Sequence, residues 1–296
     1  MDSYTIHLFL SLSETLHFGK TSAACNISPS ALSRQISRLE EELGVRLFER
    51  DNRGVSLTQA GRLFLGYARE EELRYQDIRN HLLEDSNSLR GELSIYCSVT
   101  AAYSVLPALL SQYRSLYPEV HIKLKTGDAA ASIQRVTDNE VDITVAAMPE
   151  SLPAELAFKP LVTTDLCFIA PSGACSFSSQ LQDEVQWGNI PFILQARELA
   201  RNLVLDWFHG RGIEPLVYAE VDGNEAILAM VSLGCGIGAV PRLVIRNKPK
   251  DARIKEIGAD PPLPPYIVGL CAKQKRLDSP LVRSFWLLPH SDAQSR

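Results

Sequence analysis

The sequence predicts an α+β and α/β chain: a small helical head with a β-ribbon, one long helix, and a larger two-lobed α/β body. Three observations carry this expectation. Residues 18–38, FGKTSAACNISPSALSRQISR, encode two short helices a turn apart. Residues 58–85 contain no proline and place apolar side chains at steps of three and four. From Gly91 onward, short strand-like runs alternate with stretches of helical period, the pattern of strand-helix units.

Length and composition set the frame. With 296 residues, of which 45% are apolar, the chain can build two or three cores. Its start, MDSYTIHLFLSLSE, has neither a basic opening nor a small-residue cleavage site, and no run of about 18 apolar residues occurs. A soluble, cytosolic protein with no membrane partner is expected. The six cysteines, Cys25, Cys97, Cys167, Cys175, Cys235 and Cys271, are scattered and never in CxxC spacing. They read as reduced thiols rather than as a zinc site or a disulfide framework, with redox sensing the open alternative. The six histidines fall in no HExxH motif, and no GxSxG occurs, so neither a catalytic set nor a metal or cofactor is expected.

The formal net charge of -5 argues weakly against a nucleic-acid partner, so charge must be read locally. Over residues 1–65, seven basic and seven acidic side chains cancel. Position decides more than the sum. Arg34, Arg38, Arg50 and Arg53 stand on or beside one proposed face, whereas Glu40, Glu41 and Glu42 end the helix that carries it.

That face belongs to the second helix of the pair. Ser28 is a helix cap and Pro29 suits the first helical position. Toward Gly44, Leu32, Ile36, Leu39 and Leu43 form the stripe to be buried. Ser30, Ser33, Arg34 and Ser37 form the opposite face. Short hydroxyls allow close approach to a surface, and an arginine among them can reach guanine O6 and N7 or a phosphate with a two-pronged donor. The preceding helix, near residues 20–25, is short, with Ala23 and Ala24 expected to lie against its neighbour, and Asn26 and Ile27 make the turn. Together residues 18–37, opened by Phe18, form a helix-turn-helix.

Around this pair the remaining head follows in order. Residues 3–15 carry Ile6, Phe9 and Leu10, with Leu16 just beyond, as a covering helix. Leu47 and Phe48, the turn DNRG, and residues 55–57 form a two-stranded wing whose Arg50 or Arg53 could reach a phosphate or the minor groove. Thr58 can cap the long helix. Along it Ala60, Phe64, Tyr67, Glu71, Tyr75, Ile78 and Leu82 make a heptad-like seam, suited to pairing with a second copy. The expected organisation is a winged head over residues 1–58, a dimerising linker over 59–87, and a body over 91–296.

In the body, strands are expected at residues 93–97, 120–124 and 142–146, with a helix at 103–117, as a parallel sheet. A second sheet is expected from strands at 166–170, 192–194 and 217–221, with helices at 199–210 and 226–233. Gly234, Gly236 and Ala239 match GxGxxA formally, but they follow a helix and lead to Pro241, so a tight turn is expected instead of a dinucleotide site. A strand at 266–271 and a helix ending at Trp286 close the chain. If that strand rejoins the first sheet, one lobe takes about 91–161 and 267–296, the other about 162–266, and a cleft lies between them.

The run HFGKTSAACNISPSALSRQISRLEEELGVRLFERDNRGVSLTQAG resembles, almost throughout, the winged helix-turn-helix of the LysR-type transcriptional regulators. The remainder resembles their effector domain, two-lobed like a periplasmic solute-binding protein. The segments GELSIYCSVTAAYSVLP, VHIKLKTGDAA, EVDITVAAMPE, VDGNEAILAMVSLGCGIGAVP and LCAKQKRLDSPLVRSFW are similar to the branch that regulates isoleucine and valine biosynthesis.

The resemblance implies that Pro29, Ser30, Ser33 and Arg34 face bases in the major groove of operator DNA, with Arg53 in the wing. It implies homodimers paired through the linker helices, tetramers joined through effector domains, and an effector that changes DNA bending so that RNA polymerase engages. For the branch, it implies activation of the acetohydroxy acid isomeroreductase gene, induction by acetolactate or acetohydroxybutyrate, and repression of the regulator's own gene. A regulator of another small-carboxylate pathway is the competing reading, because a fold does not fix its ligand. Ligands in such sheets bind where strands end and helices begin. Ser98, Thr100 and the Ala101 N–H are therefore expected to hold the effector's acid group, with Thr126, Gly127 and Gln195 on the opposite walls. Arg197 or Arg201 would add a charge, unless each is a plain surface arginine.

Overall fold

Asp2 opens the first helix by accepting the Thr5 N–H at 2.8 Å, and Leu16, in the left-handed region, ends it. The computed structural model describes residues 1–51, 54–83, 89–182, 185–197 and 199–289. Arg53, the end of the long helix near residue 85 and the segment to residue 88 lie outside them. Two compact units result, Met1–Leu89 with Asp138–Glu140, and Arg90–Thr137 with Val141 onward.

The first unit contains α1 (Ser3–Thr15), α2 (Phe18–Ala24), α3 (Pro29–Leu43), β1 (Phe48–Asp51), β2 (Gly54–Leu57) and α4 (Gln59–Leu83). Phe9 sits at its centre, fully buried, 5.3 Å from Phe48 and edge-on to Phe64 at 4.8 Å between ring centroids. Leu8, Leu12, Leu32, Ile36, Leu39 and Leu47 complete this core. Three sequence expectations need correction. Leu43 and Leu16 are exposed, because each stands at a helix end beside a left-handed cap residue or is itself one. On α2 the buried pair is Thr21 and Ser22, whereas Ala23 and Ala24 face outward. Their hydroxyls are satisfied locally, Thr21 with Thr15 at 2.5 Å and Ser22 with the Gly19 carbonyl at 3.0 Å, so burial is cheap.

Between α3 and the wing, Glu40 accepts from the backbone N–H groups of Leu47 and Phe48 at 2.8 and 3.0 Å. Thr58 then caps α4, accepting from the Gly61 N–H at 2.9 Å. Gly61 allows close approach there: a Cβ would collide with the Leu47 carbonyl oxygen.

The second unit has two five-stranded sheets. The first half supplies β3 (Gly91–Cys97), α5 (Val99–Ser104), α6 (Leu106–Leu116), β4 (Val120–Thr126), α7 (Ser132–Thr137), β5 (Ile143–Ala147) and β6 (Leu156–Thr164). Then come β7 (Leu166–Pro171), β8 (Pro191–Gln195), α8 (Leu199–His209), β9 (Leu216–Val221), α9 (Asn224–Ser232), β10 (Ile237–Pro241), α10 (Arg242–Arg246) and β11 (Ile254–Ile257). The chain closes with β12 (Tyr266–Lys273) and α11 (Pro280–Trp286). The sheet orders are β4-β3-β5-β12-β6 and β11-β7-β10-β8-β9, so the chain leaves the first sheet after β6 and returns at β12.

Both sheets are mixed, which corrects the expectation of parallel sheets. β3 pairs in parallel with β4 and β5, but β12 runs antiparallel to β5 and β6, and β7 runs antiparallel to β10 and β11. The expected helix at 103–117 is two helices that meet at Val105, because Pro107 has no N–H to give and its ring crowds the preceding turn. Strand β6 gave no sequence signal, since Pro160 interrupts it. It survives at the sheet edge with a bulge opposite Val268 and Gly269.

Candidate DNA-reading face and effector cleft

The start of α3 is built by Ser28, whose Oγ accepts from the Ala31 N–H at 3.2 Å and lies 3.0 Å from the Ser30 hydroxyl. Pro29 occupies the first turn, and Gly44, at φ 69°, ends the helix. With Leu32, Ile36 and Leu39 buried, helical geometry turns Pro29, Ser30, Arg34 and Arg38 outward, while Ser33 and Ser37 are half-buried. Arg50 departs from the sequence reading. It lies within β1 and donates to Ser33 Oγ at 3.0 Å, with its guanidinium 4.4 Å from the centre of the Phe18 ring. The wing strand is thereby tied to α3, and Arg50 is a bracing residue at the edge of this face.

Along α4, the structure separates the proposed seam into two groups. Phe64 packs on Phe9 in the head's own core, which corrects its assignment to dimerisation. Tyr67, Tyr75, Ile78 and Leu82 are exposed, at 46%, 52%, 57% and 78%. Leu63, which the heptad reading missed, joins them at 76%, one turn before Tyr67.

In the second unit, a cavity of about 50 Å³ lies where the two lobes face each other. Ser98, Thr100 and Ala101 line it, joined by Ser104, Asn224 and Tyr266 and by apolar side chains that include Val145, Leu243 and Val268. Ser98 caps α5, accepting from the Ala101 N–H at 3.2 Å, so that N–H is already engaged; the hydroxyl keeps a proton to donate. Thr100 donates to Glu225 Oε1 of the other lobe at 2.8 Å.

Thr126, Gly127 and Gln195 are not on the cavity wall. Thr126 is the exposed last residue of β4. The Gly127 N–H goes to the Cys97 carbonyl at 3.1 Å, and a Cβ there would meet the Tyr96 hydroxyl at 2.5 Å, so this glycine serves a close contact. Gln195 is buried within its lobe, and its side-chain amide finds no hydrogen-bond partner among the described residues. Arg201 is tied to the Gln195 carbonyl and to Glu220, both at 2.8 Å, and Arg197 stands exposed off the cavity. Asn224 was the residue missed. Its signal was available, since residues 222–225 start a helix directly after a strand, the same rule that selected Ser98.

Comparison with known proteins supports both halves. Residues 4–62 match the family described as bacterial regulatory helix-turn-helix protein, lysR family, and residues 86–290 match the LysR substrate binding domain. The HTH-type transcriptional activator IlvY of Salmonella typhimurium is 42% identical over 295 residues, covering 98% of this chain and 100% of that protein. The HTH-type transcriptional regulator IlvY of Escherichia coli K12 is likewise 42% identical, over 98% of this chain and 99% of its own length. A full-length OxyR variant from Pseudomonas aeruginosa shares the fold with a TM-score of 0.71 at 21% identity, over 100% of this chain and 99% of that one. CbnR complexed with its target DNA does so with a TM-score of 0.68 at 20% identity, over 97% and 98%. The chain therefore belongs to the LysR family of DNA-binding transcriptional regulators.

Proposed function

We propose that this regulator activates the gene for acetohydroxy acid isomeroreductase in response to acetolactate or acetohydroxybutyrate, and represses its own gene. The observation that carries this reading is the 42% identity to IlvY over essentially the whole chain, effector domain included. The protein acts in the cytosol as a regulator and not as a catalyst. Ser30, Arg34 and Arg38 meet operator DNA, Ser28 and Pro29 set the helix start, and Ser33 and Arg50 hold the wing beside it. Arg34 reads a base and Arg38 a phosphate. Head, linker helix and effector domain follow the divisions near residues 58, 87 and 91, and the exposed Tyr67, Tyr75, Ile78 and Leu82 pair two copies, which join further into tetramers.

The effector's acid group is held by the Ser98 and Thr100 hydroxyls. Two hydroxyl donors side by side at the start of α5 favour a small carboxylate, and binding must favour one arrangement of the assembly for the signal to reach DNA and RNA polymerase. In vitro transcription from the isomeroreductase promoter tests this directly. Transcript should rise only when both the regulator and acetolactate or acetohydroxybutyrate are present. Equal transcript with and without these acids would contradict the inducer assignment.

A further inference from the structure

Two neighbouring groups at the start of α9 do more than begin a helix. Asn224 lines the cavity and is 8% exposed, and its Oδ1 is buried with no hydrogen-bond partner among the described residues. A buried amide oxygen without a donor is costly, and it is tolerated where something else supplies the donor. Glu225, the next residue, is exposed beside the cavity-lining Asn224 and reaches the other lobe, where Thr100 donates to its Oε1 at 2.8 Å from 125 residues away in sequence. Its second oxygen folds back over the helix start: a Cβ placed on Gly223 would come within 3.4 Å of Oε2. No side chain caps α9, because the cap position is Gly223 at φ 80°. The Glu225 carboxylate thus supplies the negative charge that a helix N-terminus attracts.

We propose that Glu225 is an internal stand-in for the effector's carboxylate, displaced when the effector enters, while Asn224 Oδ1 accepts a hydrogen bond from the effector's hydroxyl. This rests on the reading above that the cleft takes a hydroxy acid. Two carboxylates repel each other at close range, so Glu225 and an acid ligand do not share the Thr100 hydroxyl and the α9 terminus. The hydrogen bond from Thr100 to Glu225 links the two walls, and it is the one the ligand replaces. Ligand binding and release of the two lobes become one event, which gives the effector the differential affinity that switching requires.

Hydrogen exchange and calorimetry on the full chain separate the two parts. Without ligand, Thr100→Val should speed amide exchange at residues 99–102 and 224–227 and leave the rest unchanged; wild-type exchange at both places would overturn the latch. Titrated with acetolactate, Glu225→Gln should bind roughly three- to tenfold more tightly than wild type, because a competing charge is gone. Equal or weaker binding would overturn displacement. Asn224→Ala should bind about tenfold more weakly, the loss of one ligand hydrogen bond. Undiminished binding would remove Asn224 from the site. If no protein binds acetolactate although exchange shifts in Thr100→Val, the latch stands and the inducer assignment falls.

Discussion

The outward face of α3 comes from residues 29–38 of one helix, whereas the candidate effector cavity draws on the starts of α5 and α9, on β5 and on β12, segments far apart in sequence. The first is fixed by local rules. A cap at Ser28, a proline in the first turn and three buried apolar residues orient Ser30, Arg34 and Arg38 whatever the remaining chain does. The second exists only after two sheets have formed and the chain has crossed between them twice. A contiguous face can be read from periodicity, but a cleft is set by topology.

That contrast can be broken most forcefully in the head. Phe9→Ala empties the centre of a core shared by α1, α3, β1 and α4, and should cost about 3–5 kcal/mol of the head's stability. Chemical denaturation should show an early transition, and operator binding should be lost while the second unit still unfolds at its wild-type midpoint. A single transition displaced as a whole would show that the two units do not fold as separately as their cores suggest.

The exposed stripe on α4 extends the contrast, because on the proposal above it is completed by a second copy. Ile78→Glu places a charge among Tyr75, Leu82 and their counterparts in that copy. Sedimentation should show dissociation into smaller species at concentrations where the wild type stays associated. Unchanged association would assign the stripe another role.

On the reading face itself, Arg34→Ala should lower operator affinity by about 1–3 kcal/mol and relax base preference at one position, measured by gel shift in fixed salt. Wild-type affinity and an unaltered base preference in the variant would remove Arg34 from direct readout.

The smallest effect concerns thiols. Burial pushes Cys97, Cys167 and Cys271 up to about 11, so near neutral pH their reactive thiolate is scarce. In the native protein a thiol reagent should modify Cys25, Cys175 and Cys235, which are partly exposed, well before the other three. Six equal rates would mean that the cores open readily.

Legibility in the sequence followed the same division. The caps, the turn at Asn26, the α3 stripe and the strand-helix alternation were readable because each depends on neighbours within a few residues. Ser98 and Thr100 were readable as a helix start after a strand, and Asn224 obeys the same rule. What no local rule supplies is the pairing of Thr100 with Glu225, or of Arg50 with Ser33 and Phe18. Gly127 and Gln195 lie off this cavity for the same reason: Gly127 packs against Tyr96, and Gln195 is buried within its lobe. Strand β6 was hidden by Pro160, whose missing N–H matters little at a bulged edge. The two alanines of α2 mislead as well, since small size permits close packing without requiring it.

The most direct test is a nuclease footprint of the full-length protein on the DNA beside its gene, with and without acetolactate and acetohydroxybutyrate, in fixed salt. The footprint should persist on adding either acid while its hypersensitive positions change, and Ser98→Ala with Thr100→Ala should keep the footprint and lose the change. A protected region that ignores both acids, or a double variant that responds as the wild type does, would contradict the account.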